Sequence, residues 1–276
     1  MWSMDNDVLD QAAILADLRT ATLPRTVRCY AQVGSTMDVA RQLLSKLHDD
    51  ELPLLVQANE QTSGRGRLGR SWKAAPGSAL LLSLALRPRW LPPERALSLI
   101  WMAGVALCDA VVEQTGLAAL LKWPNDLLLP IGDGAYAKVA GILLEAGFGG
   151  NGLDWVIIGI GINVSDFPPP TFTRYPATSL YAATGQTIDR LTLLRTLLRH
   201  MDTWHARMID GDEQPLFDAW RTRLHTLGHT VTVHMPQGTL TGWVEAVDRS
   251  GALILRDDAG YLHTITTGDV GISSAL

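Results

Sequence analysis

Residues 139–164 read VAGILLEAGFGGNGLDWVIIGIGINV, which is two apolar runs separated by a glycine-rich stretch. Runs of this length with turn residues between them are typical of neighbouring β-strands. We expect paired strands at Val139–Glu145 and Trp155–Val164, joined by a turn at Gly147–Gly152. The glycines of the second run do not complete the GxGxxG pattern that binds phosphate, because Val164 occupies the last position.

Further helices and strands are predicted on both sides of this hairpin. On its N-terminal side the sequence predicts a short helix at residues 8–20, a helix that opens at Ser35, strands at Leu54–Ala58, Leu80–Leu86 and Leu120–Lys122, and a long helix from Pro92 to about Glu113. On its C-terminal side it predicts helices near Leu191–Met208 and Pro215–Arg223. After Gly228, short β-rich segments divided by glycines are typical of a small barrel, so we place a domain boundary near residue 227.

The composition is that of a globular protein. The chain has 276 residues, of which 47% are hydrophobic and 18% charged, and this is enough apolar material for a sizeable core. Its net charge of −5 argues against general binding to nucleic acid, which usually needs a basic domain. The N-terminus lacks the features of a signal peptide, and apolar runs such as Ala79–Leu86 and Val156–Ile162 are too short to span a bilayer. The two cysteines form no CxxC pattern, so we expect reduced thiols in a cytoplasmic protein and no structural zinc.

The most unusual stretch is residues 64–70, which read GRGRLGR. Its glycines let backbone N–H groups approach a bound group, and Arg65, Arg67 and Arg70 supply guanidinium groups that bind anions. Ordering one backbone residue costs about 1–2 kcal/mol, so we expect the loop to be mobile until an anionic ligand offsets that cost. Taken alone, however, the pattern favours a solvated basic turn, or an arm that touches nucleic acid.

Polar residues at the ends of predicted strands form a second group of candidates. Residues 122–126 read KWPND, a turn signature, and Lys138 precedes an apolar strand. The chain has four lysines against nineteen arginines, so a lysine at a strand end points to a need for a compact ammonium group. Each motif also has an ordinary explanation: Lys138 as an edge lysine, Asn125–Asp126 as an Asx turn, and Trp72 as a core residue.

These motifs occur in an order that resembles the biotin protein ligases. Residues 35–38 (STMD) are similar to the family's Ser-Thr-Asn segment, and residues 61–70 are similar to its glycine-arginine loop. Residues 122–126 match the family's KWPND motif, residues 138–143 its K-[LV]-[AG]-G-I-L motif, and residues 158–163 its glycine strand that ends in Asn. The resemblance runs from about residue 26 to the end of the chain. KWPND together with the arginine loop is specific enough to outweigh the ordinary explanations of the single motifs.

The resemblance implies an α+β fold. Its core would be a mixed, largely antiparallel sheet packed with helices, of the class II synthetase-like kind, followed by a small C-terminal SH3-like β-barrel. The implied division is an N-terminal extension with a short helix at residues 1–25, a catalytic domain at residues 26–227 and the barrel at residues 228–276. We do not expect the DNA-binding winged helix of bifunctional relatives, because only a short segment precedes the catalytic domain.

The implied activity is ATP-dependent biotin protein ligation. Biotin and MgATP would give biotinyl-5′-AMP and pyrophosphate, and a lysine of a biotin carboxyl carrier protein would then attack the mixed anhydride. That carrier, as an acetyl-CoA carboxylase subunit or another carboxylase's biotin domain, is the implied partner. A homodimer is compatible with family habit, and neither nucleic acid nor a membrane is expected. A lipoate–protein ligase and a non-catalytic ligand-binding relative are the alternatives.

The resemblance also implies roles for residues of this sequence. The implied catalytic residues are Lys138, Arg67 and Asp126. The implied biotin-binding residues are Ser35, Thr36, Gln61, Gly64, Arg65, Arg67, Lys138 and Gly141. The implied ATP-binding residues are Arg67, Arg70, Trp72, Lys122, Asn125 and Asn163, and no metal ligand is assigned. Lys138 would bridge the biotin carboxylate and the α-phosphate, while Asp126 would orient the acceptor lysine and help to deprotonate it.

The sequence departs from the family pattern at two places. Met37 stands where the family usually has Asn, which leaves one contact near the biotin end undetermined. Residues 272–276 lack an arginine that some relatives carry, so we assign no ligand contact to the tail.

Overall fold

The computed structural model describes residues 9–150, 152–169 and 175–272. A seven-stranded sheet forms the larger part of the molecule. Its strands are β1 (Thr26–Val33), β2 (Leu54–Gln61), β3 (Ala79–Leu86), β4 (Leu120–Lys122), β5 (Asp126–Pro130), β6 (Tyr136–Gly149) and β7 (Gly152–Asn163). They lie in the order β1-β2-β3-β7-β6-β5-β4; β1 and β2 are parallel, and every other neighbouring pair is antiparallel. The predicted mixed, largely antiparallel sheet is confirmed.

The strands β3 and β7 lie at the centre of the sheet because they are apolar on both faces. Every residue of β3 is buried, and β7 is buried from Val156 to its end. Such strands need cover on both sides. The helix α2 (Thr36–Leu44) covers one face, and α3 (Ser98–Thr115) together with α5 (Arg190–Ile209) covers the other.

The shorter helices are α1 (Gln11–Leu15), α4 (Leu180–Thr184) and α6 (Gln214–Arg223). Within the described residues, one segment, Pro93–Thr115, is long and apolar enough by composition to cross a membrane. Its apolar window is 72% buried inside the protein, so packing of α3 against the sheet, α5 and α6 accounts for its character.

The strands that follow residue 229 form a second, antiparallel sheet. They are β8 (Thr230–Met235), β9 (Gly238–Val247), β10 (Leu253–Arg256), β11 (Leu262–Ile265) and β12 (Asp269–Ile272), in the order β11-β10-β9-β8-β12. Alternate residues such as Val231, Val233 and Val244 are fully buried, as the two-residue period of a strand requires when one face is covered. This is the predicted SH3-like barrel.

Tryptophans join the barrel to the larger sheet. Trp123 donates its indole N–H to the backbone oxygen of Gly251 over 2.9 Å, and its backbone N–H to Thr226 Oγ1 over 2.9 Å. Trp101 also packs on Gly251, where an added Cβ would lie 2.8 Å from the indole ring, and it stacks on Trp220 with ring centroids 4.7 Å apart. The barrel is therefore held beside the KWPND turn.

Several elements differ from the sequence prediction. The strands β1, β5 and β12 and the helix α4 were not predicted, and α1 is shorter than the helix expected at residues 8–20. Because β6 begins at Tyr136, Lys138 lies inside a strand rather than before one. Ser35 occupies the N-cap of α2, but its hydroxyl makes no cap hydrogen bond. Residues 1–8 of the predicted extension and residues 273–276 of the tail lie outside the described residues.

Candidate active site

A cavity opens where the α2 face of the sheet meets the arginine loop, residues 64–70. Its lining includes Ser35, Thr36, Met37, Gln61, Arg65, Arg67, Arg70, Trp72, Asn125, Asp126, Lys138, Gly141, Gly159, Gly161 and Asn163. Of the residues predicted for the site, Gly64 and Lys122 do not line it. Gly64 lies at the base of the loop, where an added Cβ would lie 2.6 Å from the backbone oxygen of Trp72. A side chain at that position would push the loop away from the strands.

One carboxylate and two ammonium groups form the charged centre of the site. Asp126 is buried at the start of β5, with Oδ1 2.6 Å from Lys138 Nζ and Oδ2 3.2 Å from Lys122 Nζ. Burial opposes ionisation of Asp126, but the two ammonium groups outweigh it and hold the pKa of this carboxyl below its ordinary value. Asp126 is therefore ionised at neutral pH.

The two lysines differ in their access to the cavity. Lys122 is buried, donates to the backbone oxygen of Val270 over 3.0 Å, and has its Nζ 4.1 Å from the centroid of the Tyr175 ring. Lys138 keeps 29% of its side chain exposed, and its Nζ lies 5.6 Å from the centroid of the Trp72 ring. Lys138 can reach a bound ligand, whereas Lys122 acts behind it by fixing Asp126.

Carboxylates of the protein hold the first arginine of the loop. Arg65 Nη1 lies 2.7 Å from Asp38 Oδ1, and Arg65 Nη2 lies 3.2 Å from Glu145 Oε1. Asp38 belongs to the first turn of α2 and Glu145 to β6. Arg41 of α2 bonds to both of the same carboxylates. The loop, which was expected to be mobile until an anionic ligand binds, is thus already restrained by two carboxylates that the sequence analysis did not identify as its partners.

The barrel holds the other two arginines. Arg67 donates to the backbone oxygen of Gly268 over 3.2 Å and to Asn125 Oδ1 over 3.3 Å. Arg70 pairs with Asp269 of β12 over 2.9 Å. Partial burial lowers the pKa of Arg67 below its ordinary value, although the charge of Asp126 opposes this shift. Arg67 remains charged, because a guanidinium group is not deprotonated in proteins. Between these contacts, Leu68 is 62% exposed at the loop tip with φ of 56°.

Glycines let an indole ring lie flat on the sheet. Gly141 of β6 pairs with Gly161 of β7, and added Cβ atoms at these positions would lie 3.2 Å and 2.5 Å from Trp72. Among the described residues, neither Trp72 Nε1 nor the buried Asn163 Oδ1 has a hydrogen-bond partner. Buried polar atoms are normally paired, so this donor and this acceptor at the cavity wall point to a ligand.

A second polar group lies where the start of α2 meets β2 and β3. Thr36 donates its backbone N–H to Gln61 Oε1 over 2.8 Å, and its hydroxyl lies 3.0 Å from the same atom and 2.8 Å from Ser83 Oγ. Ser83 pairs with Gly159 of β7, on which the side chain of Met37 packs. The predicted residues Ser35, Thr36 and Gln61 are thus brought together.

Comparisons with known proteins find matches for both the larger sheet and the barrel. A family model described as "Biotin/lipoate A/B protein ligase family" matches residues 28–163, and one described as "Biotin protein ligase C terminal domain" matches residues 226–272. The chain is 38% identical over 210 residues to a biotin--[acetyl-CoA-carboxylase] ligase of Paracoccus denitrificans, an alignment that covers 74% of this chain and 85% of the relative. The chain belongs to the biotin protein ligase family.

Two further relatives agree with this membership. A bifunctional ligase/repressor of Bacillus subtilis is 30% identical over 264 residues, covering 95% of this chain and 78% of the relative. The solved structure of a biotin protein ligase from Aquifex aeolicus in complex with biotin and ATP superimposes with a TM-score of 0.74 at 26% identity, covering 91% of this chain and all of that one.

Proposed function

We propose that this chain is an ATP-dependent biotin protein ligase, which forms biotinyl-5′-AMP and then transfers biotin to a lysine of a carrier protein. The observation that carries this conclusion is the Asp126–Lys138 ion pair in a cavity that is also lined by the loop arginines, with Lys122 behind Asp126, in a chain of this family. Biotin and MgATP are the substrates, and Mg²⁺ enters with the nucleotide.

Lys138 performs the charge compensation that adenylation needs. The biotin carboxylate must approach the α-phosphate, and two anions meet only if a positive group lies between them. The Lys138 ammonium is anchored on one side by Asp126 and partly exposed on the other, so it can donate to both anions while it keeps its place. Lys122 helps to hold it there, because it supplies the charge that Asp126 needs to remain ionised inside the protein.

The arginine loop closes the site over the reacting groups. Arg67 lies at the cavity wall above Asn125 and Asp126 and is proposed to contact the α-phosphate. Arg65 lies nearer the biotin end, since its partners Asp38 and Glu145 belong to α2 and the distal part of β6. A closed loop also keeps water from the reactive anhydride.

The unpaired buried atoms described above belong to the nucleotide half of the site. Trp72 offers an indole face and a free N–H, and Asn163 offers a free amide oxygen, a set that suits the ring and the exocyclic amine of adenine. Arg70, which forms an ion pair with Asp269, is proposed to contact the phosphates or the leaving pyrophosphate. Asn125 lines the cavity beside Arg67, Lys122 lies behind Asp126, and both are proposed to support this half of the site.

Asp126 is proposed to orient the acceptor lysine in the transfer step. A carboxylate whose pKa is held low is a weak base but a strong partner for an incoming ammonium group. This favours the orienting role predicted from the sequence over a direct role in deprotonation.

The biotin half of the site is formed by Ser35, Thr36, Gln61 and Gly141. Hydroxyl and amide groups at the first three positions suit a ureido ring, which both donates and accepts hydrogen bonds. Gly141 has no side chain, so Lys138 Nζ and the Trp72 ring lie 3.1 and 3.2 Å from where a Cβ would stand, and the chain of biotin is proposed to pass beside them.

The carrier is proposed to be a biotin carboxyl carrier protein, since the name of the Paracoccus relative specifies acetyl-CoA carboxylase. We also propose a cytoplasmic location and keep residue 227 as the boundary between catalytic domain and barrel. The expectations of a homodimer, and of no binding to nucleic acid or membranes, remain predictions.

Exchange of labelled pyrophosphate into ATP tests this proposal directly. We expect exchange that depends on biotin and is at least tenfold slower with lipoate at equal concentration, because the polar ring contacts described above fit a ureido group. Faster exchange with lipoate would favour a lipoate–protein ligase, and no exchange with either acid would favour a non-catalytic relative.

A further inference from the structure

Met37 forms part of the cavity wall, and the spacing of residues along β7 sets its distance from Lys138. Its Sδ and Cγ atoms would lie 2.7 and 3.0 Å from a Cβ added to Gly159, so the thioether packs directly on β7. Lys138 and Trp72 lie over the Gly141–Gly161 pair, two residues along β7. At about 3.3 Å per residue, the two positions are separated by roughly 7 Å along the strand.

Met37 gives this end of the cavity an apolar surface. It is 4% exposed and packs with Leu44, Val56 and Ile157 in the cluster beneath α2. The neighbouring hydroxyl of Thr36 is already hydrogen-bonded to Gln61 and Ser83. Neither Met37 nor the Thr36 hydroxyl can therefore donate a hydrogen bond to a ligand group that contacts the Met37 thioether.

We propose that Met37 is a specificity-determining residue that recognises the sulfur-containing ring of biotin by apolar contact. The inference rests on the proposed ligase function, in which the carboxylate of biotin lies at Lys138. The short methylene chain of biotin then carries its rings to the Gly159 position. The polar groups of Ser35 and Gln61 suit the ureido side, which leaves the thioether side of the bicycle against Met37.

If Met37 contacts the sulfur side of the ring, the site should discriminate against a biotin analogue whose sulfur carries polar atoms. Biotin sulfone has the shape of biotin with two oxygens on that sulfur, and burying such oxygens without a donor is unfavourable. The flexible thioether of Met37 adapts to apolar shapes but offers no donor to these oxygens. Desthiobiotin, which is apolar at this place, should be accepted more readily than the sulfone.

The test measures kcat/KM for pyrophosphate exchange with biotin, desthiobiotin and biotin sulfone in the unsubstituted chain and in two variants. The unsubstituted chain should prefer biotin to the sulfone by at least about tenfold. Met37→Leu, which stays apolar, should keep that ratio within about twofold. Met37→Gln, of similar length but with an amide donor, should lower the ratio by about tenfold. The ratio is taken within each variant, so a loss of folded protein cancels.

The outcomes separate this inference from the proposal on which it rests. An unchanged biotin-to-sulfone ratio in Met37→Gln, with robust biotin-dependent exchange, would mean that Met37 only packs the core, and it would overturn this inference alone. Desthiobiotin discriminated as strongly as the sulfone would also overturn it. Absence of biotin-dependent exchange in the unsubstituted chain would overturn the ligase function as well.

Discussion

At the scale of single residues, the chemistry depends on the partly exposed ammonium group of Lys138. Lys138→Ala should lower biotin-dependent pyrophosphate exchange on the order of 100-fold or more, since the charge that brings two anions together is lost. The fold should persist because Lys122 still compensates Asp126. Circular dichroism checks the fold, and Lys46→Ala, at an exposed position, is the matched control. Near-normal exchange in Lys138→Ala would remove this residue from its proposed role.

A second prediction concerns Gly161, on which the Trp72 indole packs. In Gly161→Ala the added methyl group would lie 2.5 Å from that ring, so the indole must move towards the space assigned to adenine. We expect KM for ATP to rise about tenfold while KM for biotin changes less, as expected for a lost ring contact of about 1.4 kcal/mol. Gly34→Ala is the control, because an added Cβ there has nothing within 4 Å. An equal rise in both KM values would argue against separate nucleotide and biotin halves.

The motif residues were predictable from sequence, but the carboxylates that hold them were not. KWPND, the arginine loop and Lys138 are recognised because their types and spacing are unusual. Asp38, Glu145 and Asp269 are ordinary acidic residues far apart in the chain, and only folding brings them to the arginines. Likewise, nothing in the local sequence shows that Lys122 would be buried behind Asp126.

At the scale of elements, the arginine loop is held by protein carboxylates before any ligand binds. Asp38→Asn should therefore free Arg65 and speed trypsin cleavage at Arg65 and Arg67 by several-fold without ligand, since an exposed ion pair contributes about 0.2–1 kcal/mol. Biotin with ATP should slow cleavage in both proteins, because the adenylate gives the arginines an anionic partner. Mass spectrometry of the fragments gives the rates.

Asp258→Asn, at an exposed position of the barrel, is the control for this loop prediction. If Asp38→Asn is cleaved at the same rate as the control without ligand, the ion pair with Asp38 does not restrain the loop. Equal cleavage with and without biotin and ATP would mean that the loop does not cover the ligand.

The strands show how far element prediction reaches. The β6–β7 hairpin was predicted because both strands are long, apolar and bounded by glycines. The strands β5 and β12 have five and four residues, too few to display a period, and were missed, whereas the still shorter β4 was predicted because a turn signature follows it. The extension of β6 to Tyr136 depends on pairing with β5, which is a tertiary interaction.

At the scale of the whole molecule, the barrel supports the cations of the candidate active site. Its residues Gly268, Asp269 and Val270 contact Arg67, Arg70 and Lys122 in turn. The Trp123 hydrogen bond to Gly251 fixes the barrel against the turn that carries Asp126. Motion of the barrel is therefore expected to change the positions of the cations around the ligand.

Stability should fall on acidification because of a buried histidine that ties down the N-terminal segment. Burial lowers the pKa of His205 from 6.5 to about 4, and Nδ1 lies 2.9 Å from Thr22 Oγ1. Between these pH values the unfolded chain binds a proton that the folded chain does not, so the free energy of unfolding decreases as pH falls, by about 3 kcal/mol in all. Asp202 beside it, whose pKa is lowered by hydrogen bonds despite burial, adds a loss at still lower pH.

Urea unfolding between pH 4 and pH 7 measures this effect. His205→Gln should flatten the dependence over that range, while His48→Gln, at an exposed position, should leave it unchanged. A slope that survives His205→Gln would assign the pH dependence to other groups.

The central claim is that this chain activates biotin and places it on one lysine of a carrier, and intact-mass analysis of a biotin carboxyl carrier domain tests it most directly. After incubation with the chain, biotin and MgATP, we predict one biotin per carrier on a single lysine, and none without ATP or with Lys138→Ala. An unmodified carrier, or one that receives lipoate in preference to biotin, would contradict the account.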